Sequence, residues 1–542
     1  MFVLGVGGFM HDYNVCLVDV DKGRVAICEA ERLSRRKHHV IRDGDDLMAP
    51  IEKVCADLGT KPKRIDVVAF AHTDDFKPKA WFRKTFSKAR FVEVDHHRCH
   101  LAGAYYSSGY DDALILSMDG FGDGASLLVA TGEGASITEI ARTDDHNSLG
   151  LEYLRATYHL GLGGYGAEGK TQGLAPYGEP TLFEAYRKEI QVNDDLTLTL
   201  SDQLRSQSST LSVEGGYLNT QILTNRFLDA YSPRRIAPEP LTEVQNNLAA
   251  SVQKLLESVA LELCKKGQNQ TGKRRLVLSG GVSLNSSMNG AILKSGLFDG
   301  IYALPMASDR GVALGAALEV CHGELGMARL PMMAHVFYGG MSDDKAAAKA
   351  MKKGGLKPQK TDDPHGLAAE ALAKGEIVGF VQGRSEMGAR ALGHRSILAD
   401  ARKAEMKDII NARVKHREFF RPFAPAALAE KADTYFETGS GAADLSFMTF
   451  TVAARDAGKE AAPATVHVDG TARLQTVIRE ANPDFHKVIS AFDQMTGVPV
   501  VLNTSFNDND EPIVETASDA VGTFNKADMD LLIVGNTFCR KS

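Results

Sequence analysis

Two histidines one helical turn apart, His96 and His100, stand in the stretch EVDHHRCHLAGAYYSSG, where an apolar strand gives way to a run of small residues. At i and i+4 on a helix their imidazoles share one face and can reach one metal ion. A metal site needs carboxylates as well, and two aspartates have the placement. Asp119 ends the apolar run ALILSM just before Gly120, and Asp309 in ASDRGVALGAAL precedes a small-residue helix. Each also has an ordinary reading: H-x-x-x-H suits two partly exposed histidines, and Asp309 suits a helix N-cap. His11, next to Asp12 in the first glycine turn, is a third candidate. A turn imidazole titrates near neutrality and can take a proton from an incoming hydroxyl, or it is a plain turn residue.

A second group of side chains is cationic. Arg384, Arg390, Arg395, Lys415, Arg417, Arg421 and Arg473 fall mostly within GRSEMGARALGHRSILADARKAEMKDIINARVKHREFFRPFAP. Guanidinium groups match phosphate oxygens bidentately and lysine adds a point charge, so phosphorylated small molecules are the expected ligands, with a surface charge network as the alternative.

The elements that must position these residues have a repeat. FVLGVG, NVCLVDV and RVAICEA read as three short strands, the last two joined through Asp21-Lys22-Gly23. The pattern returns in LILSMDGFGDGASLLVATGEGASITEIA, where Gly120-Phe121 takes the place of Gly8-Phe9 and Asp123 that of Asp12. Two such copies predict a duplicated α/β fold with a phosphate-binding cleft between its halves; two unrelated hairpins are the alternative. A helix is expected from about 243 to 266, followed by two strand–turn–helix units, RLVLSGGVSLNSSMNG and YALPMASDRGVALGAALEV. Their turns expose backbone N–H groups at helix starts, which favours phosphate. Residues 336–364 are rich in lysine and glycine and read as a linker, so the expected domains are 1–335 and 365–542.

Bulk composition excludes several classes. The 542 residues are too many for one core, and the net charge of -7 lacks the basic excess that nucleic acid demands. No apolar run is long enough to span a membrane, and the start lacks a signal-peptide pattern, so a cytoplasmic protein is expected. Seven scattered cysteines without a C-x-x-C pair read as reduced core fillers, with only Cys99 beside a candidate site.

Ten ordered motifs then carry a resemblance: HDYNVCLV, ERLSRRKH, DHHRCHLAGAYY, LSMDGFGDGAS, AEGKTQGLAPYGEP, LSGGVSLN, SDRGVALGAAL, GARALGHRSILAD, VKHREFFRPFAP and LNTSFNDNDEPIVET. Together they resemble the O-carbamoyltransferases of nodulation-factor and antibiotic biosynthesis, over essentially the whole chain. The resemblance implies an N-terminal actin-like (ASKHA) ATPase domain, related to threonylcarbamoyl transferases, and a C-terminal YrdC-like domain. The second would make carbamoyl-adenylate from carbamoyl phosphate and Mg-ATP. The first would pass the carbamoyl group to a hydroxyl of a small natural product, an antibiotic or sugar derivative. By the same resemblance His96, His100, Asp119 and Asp309 bind Fe(II) or a similar divalent metal, and His11 activates the acceptor. Lys170, Gly280, Gly281 and Asn285 meet nucleotide or carbamoyl-adenylate in the N-terminal domain; Arg390, Lys415, Arg421 and Arg473 hold carbamoyl phosphate and ATP in the C-terminal one. Three departures stand out: Ala389 and His394 replace the proline and asparagine of G-P-R-A-L-G-N-R, and 507–512 reads NDNDEP where N-V-R-G-E-P is common. The loop arginine is thus absent; either another cation such as Arg421 replaces it or the loop is built differently. Two other functions remain at this point: a sugar-kinase-like phosphotransferase using the N-terminal cleft, and a non-catalytic nucleotide-binding regulator.

Overall fold

β1, Phe2–Gly7, is buried along its whole length after Phe2, as a strand flanked on both faces must be. It pairs antiparallel with β2, Asn14–Asp19, which pairs antiparallel with β3, Arg24–Glu29. On its other side β1 runs parallel to β4, Val67–Phe70, and β4 parallel to β5, Arg90–Glu93, giving the order β3-β2-β1-β4-β5. The second sheet repeats this plan. β6, Asp112–Gly122, pairs antiparallel with β7, Ala125–Glu133, and β7 with β8, Ser136–Asp144. Strand Arg275–Ser279 lies parallel to β6, and strand Gly300–Ala303 parallel to Arg275–Ser279. A three-strand meander followed by two parallel crossovers, made twice, is the duplicated actin-like ATPase plan. The repeat extends to single residues: Asp12 and Asp123, at matching turns, both have positive φ, +64° and +46°, a backbone state costly for most side chains but tolerated by aspartate. The computed structural model describes all residues except 43, 73–76, 206–212, 215–216, 219–225, 330–331, 510 and 542.

Helix His96–Ser107 connects β5 to β6, and helix Val312–Leu318 follows strand Gly300–Ala303. Glycines let these two helices and β1 touch through backbone. A Cβ on Gly315 would lie 1.8 Å from the Cys99 carbonyl oxygen, and one on Gly5 would lie 1.9 Å from that of Ala313. Any larger residue would force the helices apart, and with them the residues at their starts, His96 and Asp309. Helix Glu243–Thr271 starts from a Thr242/Gln245 capping box and stops at Gly272, φ +69°, five residues beyond the expected end.

The chain divides into two compact units. The first comprises Met1–Ala30, His38–Met333 and Gly441–Ala443; the second comprises Glu31–Lys37, Ala334–Ser440 and Asp444–Ser542. Two short excursions thus cross the expected boundaries. Residues 336–364 are not a linker. Helix Asp344–Lys353, capped by the Asp343 carboxylate, buries Ala347, Ala350 and Met351, and Gln359–Lys360 pairs antiparallel with Thr537 and Phe538. Its exposed lysines set the composition, whereas the apolar stripe sets the structure. The second unit is a mixed α/β domain. Among the described residues its main sheet has eight strands, in the order Gln359–Lys360, Thr537–Arg540, Leu531–Val534, Val378–Val381, Arg395–Asp400, Val500–Ser505, Ala424–Leu428 and Gln475–Val477. Leu372, Phe485, Ile489 and Phe492 pack on Val378, Leu398 and Val501 in its core. Among the described residues no helix is long and apolar enough to cross a membrane.

Candidate functional site

His96 and His100 do share a helix face. Asp95 caps the helix by accepting from Arg98 N at 2.8 Å, and the Asp123 carboxylate accepts from His96 N at 2.8 Å. Both imidazoles are buried, and their Nε2 atoms lie 3.1 Å apart. Asp119 Oδ2 is 3.2 Å from the first and 3.1 Å from the second; Asp309 Oδ1 is 3.5 and 3.7 Å away. The four donor atoms fall within 4.8 Å of one another. Donors separated by about 3–3.5 Å are what one cation with bonds of about 2.1 Å requires, so the set fits a divalent metal with mixed imidazole and carboxylate ligation.

The surroundings hold this set open. Asp119 sits where β6 breaks register with β7, between Met118 and Gly122. Its Oδ1 accepts from Gly120 N at 2.8 Å and Gly281 N at 3.0 Å, leaving Oδ2 toward the histidines. Gly281, expected with Gly280 at a nucleotide, therefore also holds this carboxylate. Gly280 has φ +81°, and a Cβ there would lie 2.1 Å from the Met118 carbonyl oxygen. Asp309 caps nothing: helix Val312–Leu318 has no side-chain cap, and Asn14 Nδ2 donates to the Asp309 backbone oxygen at 2.7 Å, tying the turn to β2. Burial opposes charging of His100, but Asp119 and Asp309 outweigh it and raise its pKa to about 9; the two imidazoles hold Asp119 well below the carboxylate range despite its burial. Cys99 is buried, its thiol pushed up by desolvation, and serves as core.

His11 borders the cluster. Its Nε2 is 3.7 Å from Asp309 Oδ2 and its Nδ1 3.2 Å from Asp12 Oδ2. Burial lowers its pKa, yet Asp309 and Asp12 draw it up to about 9, so with only these carboxylates around it the ring is charged at neutral pH, against the expectation of a neutral turn histidine. A cation held by Asp309 opposes that pull. Asp12 is fixed by Arg310 Nε at 3.2 Å and His38 Nδ1 at 3.0 Å. Tyr165, Arg310 and His38 escaped the sequence reading. The Tyr165 hydroxyl oxygen lies 2.7 Å from His11 Nδ1 and 3.1 Å from Asp12 Oδ2. Its one sequence signal is the surrounding LGLGGYG, a glycine run too mobile-looking to belong to a core.

Lys170 lies on helix Glu168–Leu174, where Gln172 touches the Ser286 and Ser287 hydroxyls at the start of helix Ser286–Lys294. The Asn285 side chain caps that helix through Met288 N and pairs with Gln253.

The second unit collects cations. Lys415 ends a π-helical turn, Asn411–Lys415, before His416 at φ +45°, and its buried Nζ donates to Asn507 O and Oδ1, both at 2.8 Å. Burial, then Arg417, Arg421 and Lys37, hold the ammonium well below its usual pKa. Arg473 is lowered by burial and by Arg417 and Arg421, and its Nε is buried without a partner. Arg390 lies partly buried in the loop between strands Val378–Val381 and Arg395–Asp400. Arg395 is instead a structural residue, fully buried and donating to the carbonyls of Gln382, Gly340 and Glu515. The loop without its arginine is braced by Arg35, which donates to Ile513 O at 2.7 Å and Pro512 O at 2.8 Å, and by Lys37, which donates to Asn509 O at 3.1 Å. Glu511 is tied off by Asp508 N at 2.9 Å and lies 3.5 Å from Arg35; Asp510 lies outside the described residues. Positive groups lie close enough to depress one another's pKa, and Glu418 faces Arg421 at 3.8 Å; a bound anion would relieve that repulsion.

One chain thus joins a duplicated actin-like unit carrying a His/Asp cluster to an α/β unit that gathers cations. Residues 79–318 match the carbamoyltransferase N-terminus model and residues 369–541 the carbamoyltransferase C-terminus model. The chain belongs to the carbamoyltransferase family. It is 43% identical to nodulation protein NolO of Bradyrhizobium diazoefficiens, over 83% of this chain and 79% of that one, and 37% identical to nodulation protein NolNO of Sinorhizobium fredii, over 98% and 79%. Two HypF structures, that of T. kodakarensis and a full-length phosphate- and nucleotide-bound form, align with 60% and 61% of this chain and 48% and 47% of their own, at 12% and 15% identity and a TM-score of 0.35 each. Carbamoyl transfer thus replaces the kinase and regulator alternatives.

Proposed function

We propose that this carbamoyltransferase works in two half-reactions, one per unit, and delivers the carbamoyl group to a hydroxyl of a small natural product, an antibiotic or sugar derivative. The observation that carries the reading is the unbalanced cation cluster of Lys415, Arg417, Arg421 and Arg473, which fits carbamoyl phosphate and Mg-ATP. There carbamoyl phosphate gives up inorganic phosphate to water, and the resulting carbamate oxygen bonds to the α-phosphorus of ATP as pyrophosphate leaves. Arg390 completes the set from its glycine-rich loop. In the first unit Gly280, Gly281 and Lys170 receive the carbamoyl-adenylate. His96, His100, Asp119 and Asp309 would hold Fe(II) or a similar divalent ion, which when bound supplies Lewis-acid polarisation. His11 takes the acceptor proton while the acceptor oxygen bonds to the carbamoyl carbon and AMP departs. The protein acts in the cytoplasm, where both co-substrates are made. Carbamoyl-phosphate-dependent exchange of pyrophosphate into ATP tests the reading: a kinase would form ADP, and a non-catalytic binder would form neither product.

A further inference from the structure

The carbamoyl-adenylate that this reading requires is open to attack by water as well as by an alcohol, and the residue that separates the two outcomes sits on His11. Its oxygen, that of Tyr165, is 2.7 Å from His11 Nδ1 and 3.1 Å from Asp12 Oδ2, the distances at which an attacking hydroxyl would give up its proton. No acceptor oxygen can share that place with the phenol. The tyrosine also reaches the surface. It is 38% exposed, its ring lies against His11 and His38 at centroid distances of 4.1 and 5.2 Å, and it rides on a loop whose Gly161, Gly163 and Gly166 have φ of +65°, +126° and +83°. Such backbone is open to glycine and adopts other states at little cost.

We propose that Tyr165 is a specificity residue that occupies the position of the acceptor hydroxyl until an alcohol displaces it, and so keeps water from the carbamoyl group. The inference rests on the two-step reading above. The phenol is a poor nucleophile in its own right, because desolvation and the Asp12 charge hold its pKa well above 10 and keep it protonated. Where the phenol oxygen is missing, a water molecule fits beside His11 Nδ1 and Asp12. Its oxygen bonds to the carbamoyl carbon, its proton passes to His11, the bond from carbon to the AMP oxygen breaks, and the carbamic acid released decays to ammonia and carbon dioxide. Tyr165 acts through what it excludes, as a positioning residue.

The test uses the metal-loaded full chain with carbamoyl phosphate and Mg-ATP and no acceptor. AMP and ammonia release measure the leak to water, and pyrophosphate exchange measures supply of the intermediate. Tyr165→Phe keeps the ring and removes the oxygen; it should raise acceptor-free AMP release by about 10²-fold or more, the lower end for a group positioned in proton transfer, with exchange and metal content at wild-type level. Tyr165→Ser, which restores a hydroxyl on a shorter side chain, checks that the loop tolerates change and should leak as Phe does. AMP release at or below the wild-type rate in both variants, with exchange intact, would overturn the assignment, as would parallel loss of exchange and AMP release, which marks a purely structural role. Absence of exchange in the wild-type protein would instead sink the two-step reading itself.

Discussion

His96 and His100 from one helix, Asp119 from a strand end and Asp309 from a turn each bring one ligand atom within 4.8 Å of the others. Purified protein should therefore retain about one divalent transition metal per chain, as two imidazoles with two carboxylates favour. Asp309→Ala and His100→Ala should each lose it in elemental analysis; wild-type metal in both would remove the site. His11 leads to a separate expectation. An alcohol is a weak nucleophile at neutral pH, and a positioned base contributes about 10²–10⁴-fold. His11→Asn should keep pyrophosphate exchange while carbamoylated product falls by that factor. If transfer stays within about three-fold of wild type, well below the range expected of a general base, then His11 is not the base.

At the scale of elements, the turns that carry the ligands matter as much as the ligands. Gly281 donates to Asp119 Oδ1 at 3.0 Å, and a Cβ there would stand 2.8 Å from the same atom. Gly281→Ala should weaken metal binding by about 10–100-fold, the usual cost of losing a supporting contact, as read by competition with a chelator. His394 tests a different element. It is buried, stacked on Phe337 at 3.6 Å, and burial lowers its pKa even though Glu386 opposes. Its neutral form is favoured in the folded state, so this contribution to stability is complete above the unfolded pKa of about 6.5 and is lost as pH falls below it. The drop in melting temperature between pH 7.5 and 5.5 should be smaller in His394→Asn than in wild type; an equal drop assigns the acid sensitivity elsewhere. The duplicated meander, the His pair and the cation-rich strand–loop segments were legible because local periodicity and glycine turns carry them. Arg35 and Lys37 were not, since they brace a loop more than 470 positions away. Residues 336–364 misled because exposed lysines outnumber the buried stripe of a short helix. Tyr165 stayed hidden because a lone tyrosine in a glycine run has no periodicity to betray its partner.

For the whole molecule, the division of labour is the claim on which the rest depends. The first unit holds the His/Asp cluster and His11, the second the cations, and the described residues place neither set in the other unit. Activation and transfer should then separate by mutation, and the measurement that asks this most directly is carbamoyl-phosphate-dependent pyrophosphate exchange in three variants. Lys415→Ala or Arg473→Ala should abolish exchange, because each removes a cation from the anion site. His96→Ala should exchange at near the wild-type rate yet form no carbamoylated product. Loss of exchange in a well-folded His96→Ala protein, or its survival in both Lys415→Ala and Arg473→Ala, would contradict a two-site enzyme.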